Sequence, residues 1–512
     1  MAKNIFGGFK EYSVAEFFKK NRQMLGFSGK VRSLTTIVHE YVTNSLDACG
    51  EAGIHPHVEV WVGEVEKNNR YSVRVKDNGP GIPEKLLGKA LGMMLAGTKF
   101  NRYVQQRGQQ GIGAAGCTMY SLITTGQPVK FSSTHGGKKI CGKLGIDFKA
   151  NKPVLMEVQR EDCPVEEHGL EVEGVFGETK YERGAHGVGE YLKRTAIANP
   201  HATIIFNTPE KERFVYPQSV EELPEKAEEV KPHPLGIGPN DILDIAKKAK
   251  GYSRLSAMLQ NEFTRVSLNK VKELRELVPE VNFEMKPGKL TWDEAEKLVG
   301  GFGKVKWISP ATDSIAPIGK TQIEKSLENI LNPELVYVTS RPPKIYRGGI
   351  PFVVEVGIAY GGDISKEGKG GVVMRFANRA PLLFDAGGCA ITQTAKAVEW
   401  KRYEIKKFDD EPIAILVNIA SVHVPYTSAG KQSISGEEEV VEEMKNAIME
   451  AGRHVQKHLS GKRRAREKST KKKAIMRYVG QISADLAELA DEKGKGEELK
   501  ASLEKMVETR FE

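Results

Sequence analysis

The sequence predicts an α+β chain in which two α/β units flank a purely helical insert, the second unit ending in a long helix. Three observations carry this. Residues 33–53 have helical periodicity and feed two alternating, strand-like runs at 57–62 and 71–76 that end in the turn-rich segment 77–81. Residues 239–278 break into short amphipathic helices without strand composition. Strand composition then returns at 335–339, 352–359, 372–377 and 413–424, with helical composition at 391–400 and 437–459.

The bulk properties agree. A chain of 512 residues exceeds one hydrophobic core and implies roughly three domains. A hydrophobic content of 39% and a charged content of 28% are those of a globular protein, and no run of about 18 apolar residues is present. The amino-terminal stretch has no apolar core behind a basic leader, which predicts a cytoplasmic protein without a membrane segment. Five scattered cysteines (Cys49, Cys117, Cys141, Cys163, Cys389), never spaced as C-x-x-C, argue against a disulfide framework or a zinc site. The net charge of +9 favours a polyanionic partner.

In chain order, the first helix carries a narrow polar stripe. At 100° per residue, Glu40, Asn44 and Asp47 fall within about 60° of one another, opposite Leu34, Ile37, Val38, Tyr41, Val42 and Leu46. A carboxylate one turn from a carboxamide suits metal-assisted attack of water on phosphate: the amide oxygen holds Mg²⁺ and the carboxylate orients and deprotonates water. In isolation that spacing is commonly just a solvated face. After the second strand, Asp77-Asn78-Gly79-Pro80-Gly81 places an acceptor for an exocyclic amine, such as that of adenine, beside glycines that let backbone approach a flat ligand. In isolation this is a turn. The glycine-rich run Gly108, Gln109, Gln110, Gly111, Ile112, Gly113, Ala114, Ala115 then precedes an apolar segment, so backbone N–H groups and a helix N-terminus can cradle phosphates.

Residues 219–234 are acidic and proline-containing and read as a linker to the helical insert. Gly319-Lys320-Thr321 mimics the end of a P-loop, but Ser314 stands where the first glycine is needed and Pro317 interrupts the run, so it reads as a decoy. In the second α/β unit the strand at 413–424 leads into a polar loop carrying Lys431, an ammonium placed between strand and helix that can act as a point charge toward a γ-phosphate. After the long helix, residues 461–473 hold eight Lys or Arg in thirteen positions, followed by a helical tail.

The order and spacing of helix E-x-x-x-N-x-x-D-A, then D-x-G-x-G, then a glycine lid resembles the GHKL ATPase family of gyrase B subunits, MutL, Hsp90 and histidine kinases. The resemblance implies a Bergerat-type α/β sandwich that binds ATP and Mg²⁺. Glu40 would be the general base, Asn44 the Mg²⁺ ligand, Asp77 the adenine reader and Gly108–Ala115 the lid, with Thr98 and Lys99 also along the nucleotide. Where the family often has a Gly-Thr pair supporting the adenine contact, this chain has Gly169-Leu170. His39 is not placed as a kinase phosphoacceptor, because only about 30 residues precede its helix. It reads as a packing residue or as one that supports Glu40 from behind.

Three segments, VHEYVTNSLDA, RGQQGIGAAG and RFANRAPLLFDAGGCA, together with the helical insert, are similar to B subunits of topoisomerase VI. That resemblance implies a GHKL domain at 1–230 with an exchanging strap at 1–12, a helix-two-turn-helix domain at 231–305, a transducer at 306–460 with Lys431 as its switch lysine, and a basic helical tail at 461–512. It implies ATP-driven homodimerisation around a DNA segment, sequence-independent contacts with double-stranded DNA, and a separate A subunit that supplies the cleavage tyrosine and metal site in an A2B2 assembly. The tail fits either a DNA phosphate contact or a solubilising helix, and an immunoglobulin-like C-terminal domain is not expected. A MutL-like repair clamp is disfavoured by the helical insert, and an Hsp90-like chaperone by the basic charge.

Overall fold

A computed structural model describes residues 18, 20–22, 26–94, 103–107, 111–148, 150, 152–312, 314–366, 370–428 and 430–511. The expected strap at 1–12, Thr98, Lys99, Gly108, Gln109 and Gln110 lie outside these residues.

The first unit is a sheet covered by helices. Helix α1 (Lys30–Ala52) is followed by β1 (His57–Glu66), β2 (Arg70–Asp77), α2 (Glu84–Gly92), α3 (Gly113–Thr125), β3 (Val129–His135), β4 (Lys138–Asp147), β5 (Lys152–Asp162), β6 (Gly169–Phe176), α4 (Val188–Ala198), β7 (Thr203–Asn207) and β8 (Arg213–Tyr216). The strands form one eight-stranded sheet in the order β5-β4-β3-β6-β2-β1-β7-β8, antiparallel except where β7 runs parallel to β1. Alternation sets the faces: Val58, Val60 and Val62 of β1 and Tyr71, Val73 and Val75 of β2 are buried against the helices, while their neighbours are not. Leu34, Ile37, Val38, Val42 and Leu46 of α1 join the same core.

The insert is helical, as its composition predicts: α5 (Pro239–Lys248), α6 (Leu255–Glu262), α7 (Leu268–Leu277) and α8 (Trp292–Phe302) enclose their own core around Met258, Leu259, Leu274, Leu298 and Phe302. Helix α8 starts at a capping box, Glu294 N donating to Thr291 Oγ1 at 3.4 Å and Thr291 N to Glu294 Oε2 at 2.9 Å.

The second α/β unit comprises α9 (Lys320–Leu331), β9 (Leu335–Ser340), β10 (Lys344–Tyr346), β11 (Ile350–Tyr360), β12 (Val372–Ala377), β13 (Ala380–Pro381), α10 (Ala390–Ala397) and β14 (Ile413–Ser421). Its six strands run β10-β11-β14-β12-β13, with β9 also on β11. Strands β11 and β14 are buried almost throughout, which explains their continuous apolar runs. One face packs on α11 (Glu438–Leu489) through Val354, Val356 and Ile358; the other packs on α9 through Ala359, Ala414 and Leu416. Gly357 brings α9 close: a Cβ there would lie 2.9 Å from Leu327.

One expectation is corrected. The sequence places the end of the long helix near residue 459, but α11 runs unbroken from Glu438 to Leu489, 52 residues in all, through the whole basic run. The glycine at that point, Gly461, costs only about 1 kcal/mol, and the Lys and Arg around it are good helix formers. A final helix, α12 (Gly496–Phe511), folds back on α11, where Val479, Ser483 and Ala487 are buried. Among the described residues no helix is long and apolar enough to cross a membrane.

Candidate nucleotide site

Helix α1 presents the polar stripe as its periodicity requires. Glu40 and Asp47 are half-buried and Asn44 is exposed on one side, while the apolar positions are buried on the other. Helix α3 begins at Gly113 directly against this stripe, and a Cβ at Gly113 would overlap the Glu40 carboxylate. Glycine here lets α3's N-terminus approach the carboxylate closely; a larger residue would displace the Glu40 side chain from this position. That N-terminus has no acidic residue in its first turn and no side-chain cap, so its partial positive charge faces the Glu40–Asn44 stripe. Gly111 adopts φ 57° at the entry to the helix, and Ala114 and Ala115 are buried on its inner face.

Asp77 closes β2 and is 6% exposed. Its Oδ2 accepts from Ser45 Oγ at 2.6 Å, and its Oδ1 from Gly79 N at 2.9 Å and Leu170 N at 3.2 Å. Burial raises its pKa above the ordinary carboxylate value, opposed by these three donors. The Gly169-Leu170 pair thus lies where the supporting pair was expected. It supplies a backbone donor, and the side-chain hydroxyl comes instead from Ser45, one residue after Asn44 on α1. Nothing in the sequence marks Ser45, because its role depends on how α1 packs on β2, while strand register brings Leu170 to the same carboxylate: Asp77 pairs with Leu170 across β2 and β6. Gly81, at φ 69°, lets the 78–81 loop lie against β3, where a Cβ would overlap the Thr134 carbonyl.

Lys431 comes from the second unit yet reaches the first. It adopts φ 51°, and its Nζ donates to the Arg107 carbonyl at 3.4 Å, next to the lid. Its charge is also felt at His39: burial lowers the His39 pKa, Lys431 adds to the lowering, and Glu40 opposes it. His39 packs edge-on against Tyr191, with ring centroids 5.3 Å apart, the packing role expected of it. Lys431 is held in place by the segment 375–385. Buried Arg375 donates to Gln432 O at 3.1 Å and Phe384 O at 2.9 Å, while Asp385 pairs with Arg32 at the start of α1 through two bonds of 3.1 and 3.2 Å. The Arg32 guanidinium also lies 4.8 Å from the Phe384 ring centroid.

The P-loop-like Gly319-Lys320-Thr321 is at the N-terminus of α9, but its anion position is taken internally. Glu355, fully buried, accepts from Ile318 N at 2.9 Å, Gly319 N at 2.7 Å and Asn418 Nδ2 at 2.8 Å. Two of the N–H groups that a phosphate would use are occupied by this carboxylate.

The sandwich and this site define an ATPase of the class that includes histidine kinases, DNA gyrase B and HSP90. Residues 29–149 match the sequence family described as histidine kinase-, DNA gyrase B-, and HSP90-like ATPase, and residues 310–472 match the topoisomerase VI B-subunit transducer. The B subunit of type 2 DNA topoisomerase 6 from Thermococcus gammatolerans is 43% identical, covering 96% of this chain and 94% of its own. Those of Pyrococcus horikoshii (42%; 100% and 97%) and Methanothermobacter thermautotrophicus (43%; 94% and 93%) are similarly close. Among solved structures, the ATPase region of Saccharomyces cerevisiae topoisomerase II aligns over 89% of this chain and 99% of its own, with a TM-score of 0.43 and 10% identity. The chain belongs to the type 2 DNA topoisomerase 6 B-subunit family: it is the ATP-binding component of a type II topoisomerase.

Proposed function

We propose that Glu40, Asn44, Asp77, the lid 108–115 and Lys431 form one ATP site that operates a dimerising clamp on double-stranded DNA, working with an A subunit that carries the cleavage chemistry. The observation that carries this reading is the convergence of Glu40, the N-terminus of α3 and Lys431, the last from a different structural unit. The donor set fits the nucleotide. Asp77 is a buried acceptor beside Gly79 and Gly81, where backbone admits a flat base, and the glycine at 113 leaves room that a Cβ would fill.

In this reading Asp77 accepts a hydrogen bond from the adenine amine while Ser45 holds its other oxygen. The Asn44 carbonyl oxygen would hold Mg²⁺, which would supply positive charge against the phosphates. Glu40 orients the attacking water and takes its proton. The N–H groups at Gly113 and Ala114 and the Lys431 ammonium would face the phosphates; Thr98 and Lys99, which lie outside the described residues, are assigned to the same site on the family resemblance alone. ATP supplies the phosphoanhydride whose cleavage resets the clamp. Lys431 links γ-phosphate occupancy to movement of the second unit, and α11 carries that movement toward the A subunit. We assign residues 1–230 to the ATPase domain with its strap, 231–305 to the helical insert, 306–460 to the transducer and 461–512 to the basic tail. The separate cores of the first unit, the insert and the second unit support that division. The assembly would be a cytoplasmic A2B2 heterotetramer.

Sedimentation of the full chain with a non-hydrolysable ATP analogue and Mg²⁺ tests this directly. Conversion of monomer to dimer, weakened in Lys431→Ala, is expected. A mass unchanged by nucleotide would overturn the clamp.

A further inference from the structure

Residues 78–82 leave the end of β2 beside the base-reading carboxylate, and four side chains fix their course. On the β1 side Asn78 is held twice: His57 N donates to its Oδ1 at 2.7 Å, and its Nδ2 donates to His55 O at 3.0 Å. At the far end Ser133 Oγ accepts from Ile82 N at 2.8 Å and donates to Ile82 O at 2.9 Å. Between these, two imidazoles take the two central carbonyls: His168 Nδ1 lies 2.9 Å from Gly79 O, and His135 Nδ1 lies 2.8 Å from Pro80 O. A carbonyl oxygen only accepts, so in each ring Nδ1 carries the proton and donates it.

Strand register brings these rings to the loop. Leu170 pairs with Asp77 across β2 and β6 and with Ser133 across β3 and β6, and Gly169 pairs with Thr134. One step further along, His135 closes β3 and His168 immediately precedes β6. The tripeptide 168–170 therefore meets the Asp77 carboxylate by two routes. Leu170 N donates to Oδ1 directly, and His168 holds Gly79, whose own N–H donates to the same oxygen. Gly79 is buried and closely surrounded: a Cβ there would lie 3.1 Å from Asp77 Oδ1 and 3.4 Å from Cys49 Sγ. A glycine backbone is the freest of all, so the course of this loop depends on the bonds made to it.

We infer that His168, with His135 as a weaker partner, is a positioning residue that sets the base specificity of the nucleotide site: its Nδ1–H fixes the Gly79 carbonyl and so keeps Asp77 turned to accept from an exocyclic amine. The inference deepens the ATP-site reading above and rests on it. Adenine presents an amine to that carboxylate, whereas guanine presents a carbonyl oxygen, which a fixed carboxylate repels. A loop that can relax turns away from the clash, so loosening it weakens ATP binding and narrows the margin over GTP. The His168 bond is half-buried and the His135 bond exposed, so water replaces the second more readily.

The test uses the full chain and compares wild type with His168→Ala, His168→Asn, His168→Gln, His135→Ala and Arg160→Ala. Asn places its amide nitrogen near the position of Nδ1, whereas Gln places it near that of Nε2. Arg160→Ala is the control: it breaks an exposed ion pair with Glu84 at the start of α2, just after the loop, and leaves the four loop contacts in place. Melting temperature, Kd for non-hydrolysable ATP and GTP analogues with Mg²⁺, and steady-state kcat and KM are measured for each. His168→Ala is expected to raise Kd for the ATP analogue and KM for ATP by about fivefold, the scale of one net hydrogen bond, with a smaller change for the GTP analogue and kcat within about twofold of wild type. His168→Asn should recover most of the loss and His168→Gln little. His135→Ala should shift Kd in the same direction by about twofold, the scale of an exposed bond, and Arg160→Ala should leave the constants near wild type.

Unchanged Kd and an unchanged ATP-to-GTP ratio in His168→Ala would overturn the inference, as would a wild-type chain that binds the two analogues alike. So would a loss of affinity that is equal for both analogues or that Gln restores as well as Asn, because either result marks a loosened fold and not a positioned carboxylate. Failure of the wild-type chain to bind either analogue would instead remove the ATP-site reading itself.

Discussion

At the scale of single residues, the site is arranged so that small changes separate binding from turnover. Glu40→Ala should preserve analogue-induced dimerisation while abolishing ATP hydrolysis; sedimentation and phosphate release check the two halves, and retained hydrolysis would remove Glu40 as the base. Asp77→Asn keeps the shape but turns one acceptor into a donor facing N–H groups and a hydroxyl. Analogue affinity measured by titration should fall by roughly tenfold or more. His201 makes a pH prediction. Burial lowers its pKa to about 3, helped by Arg379, Arg107 and His55. The folded chain therefore binds this proton less readily than the unfolded chain, whose histidine titrates near its ordinary value of about 6.5. The stability it contributes is present above that value and is lost as pH falls below it. Denaturant unfolding of wild type should weaken from pH 7 to pH 5 more steeply than that of His201→Gln; equal slopes would contradict this.

At the scale of elements, α11 is docked by charge as well as by apolar contact. Glu443, whose side chain is 1% exposed, meets Arg341 and Lys344, and Glu450 accepts from Thr339 at 2.7 Å and from Arg341 at 2.7 Å. Burial alone would raise the Glu443 pKa, but Lys344 and Arg341 hold it below the ordinary value. Removing one partner of such a pair leaves a poorly compensated buried carboxylate. Arg341→Ala should cost about 3 kcal/mol in chemical denaturation, and a loss under about 0.5 kcal/mol would show that the helix is held by its apolar face alone. Between this anchor and its contact with α12 the helix depends largely on propensity. Gly461→Ala should slow amide exchange across residues 456–470, consistent with about 1 kcal/mol of added helix stability.

At the scale of the whole molecule, the basic run is divided in its loyalties. Lys462 pairs with Glu334, and Arg463 with Glu404 and Glu467, while Arg464, Arg466 and Lys471 are exposed. If those exposed charges meet DNA phosphate, replacing Arg464, Arg466 and Lys471 with Gln should reduce the slope of log affinity against log salt by about 2 to 3. An unchanged slope would assign the run to helix solubility.

Much of this was readable in one dimension. The α1 stripe, the Asp77 turn and the helical insert each follow from periodicity, turn chemistry or motif spacing, because those signals are local; the lid at 108–115 and the switch role of Lys431 are implied by the family resemblance. The Ser45–Asp77 bond, the internal Glu355 that fills the P-loop-like helix end, and the contacts of Gln105–Arg107 were not readable, because each joins residues that only helix-on-sheet or inter-unit packing brings together. Local spacing likewise misplaced the end of α11, since one glycine among strong helix formers is too small a penalty to stop a helix. Sequence by itself determined which chemistry the chain carries and which periodic faces are apolar. Tertiary structure alone decided which of those groups meet: hydrogen bonds and buried charges depend on distances of a few ångströms between residues as much as 353 positions apart, and chain order does not encode such distances.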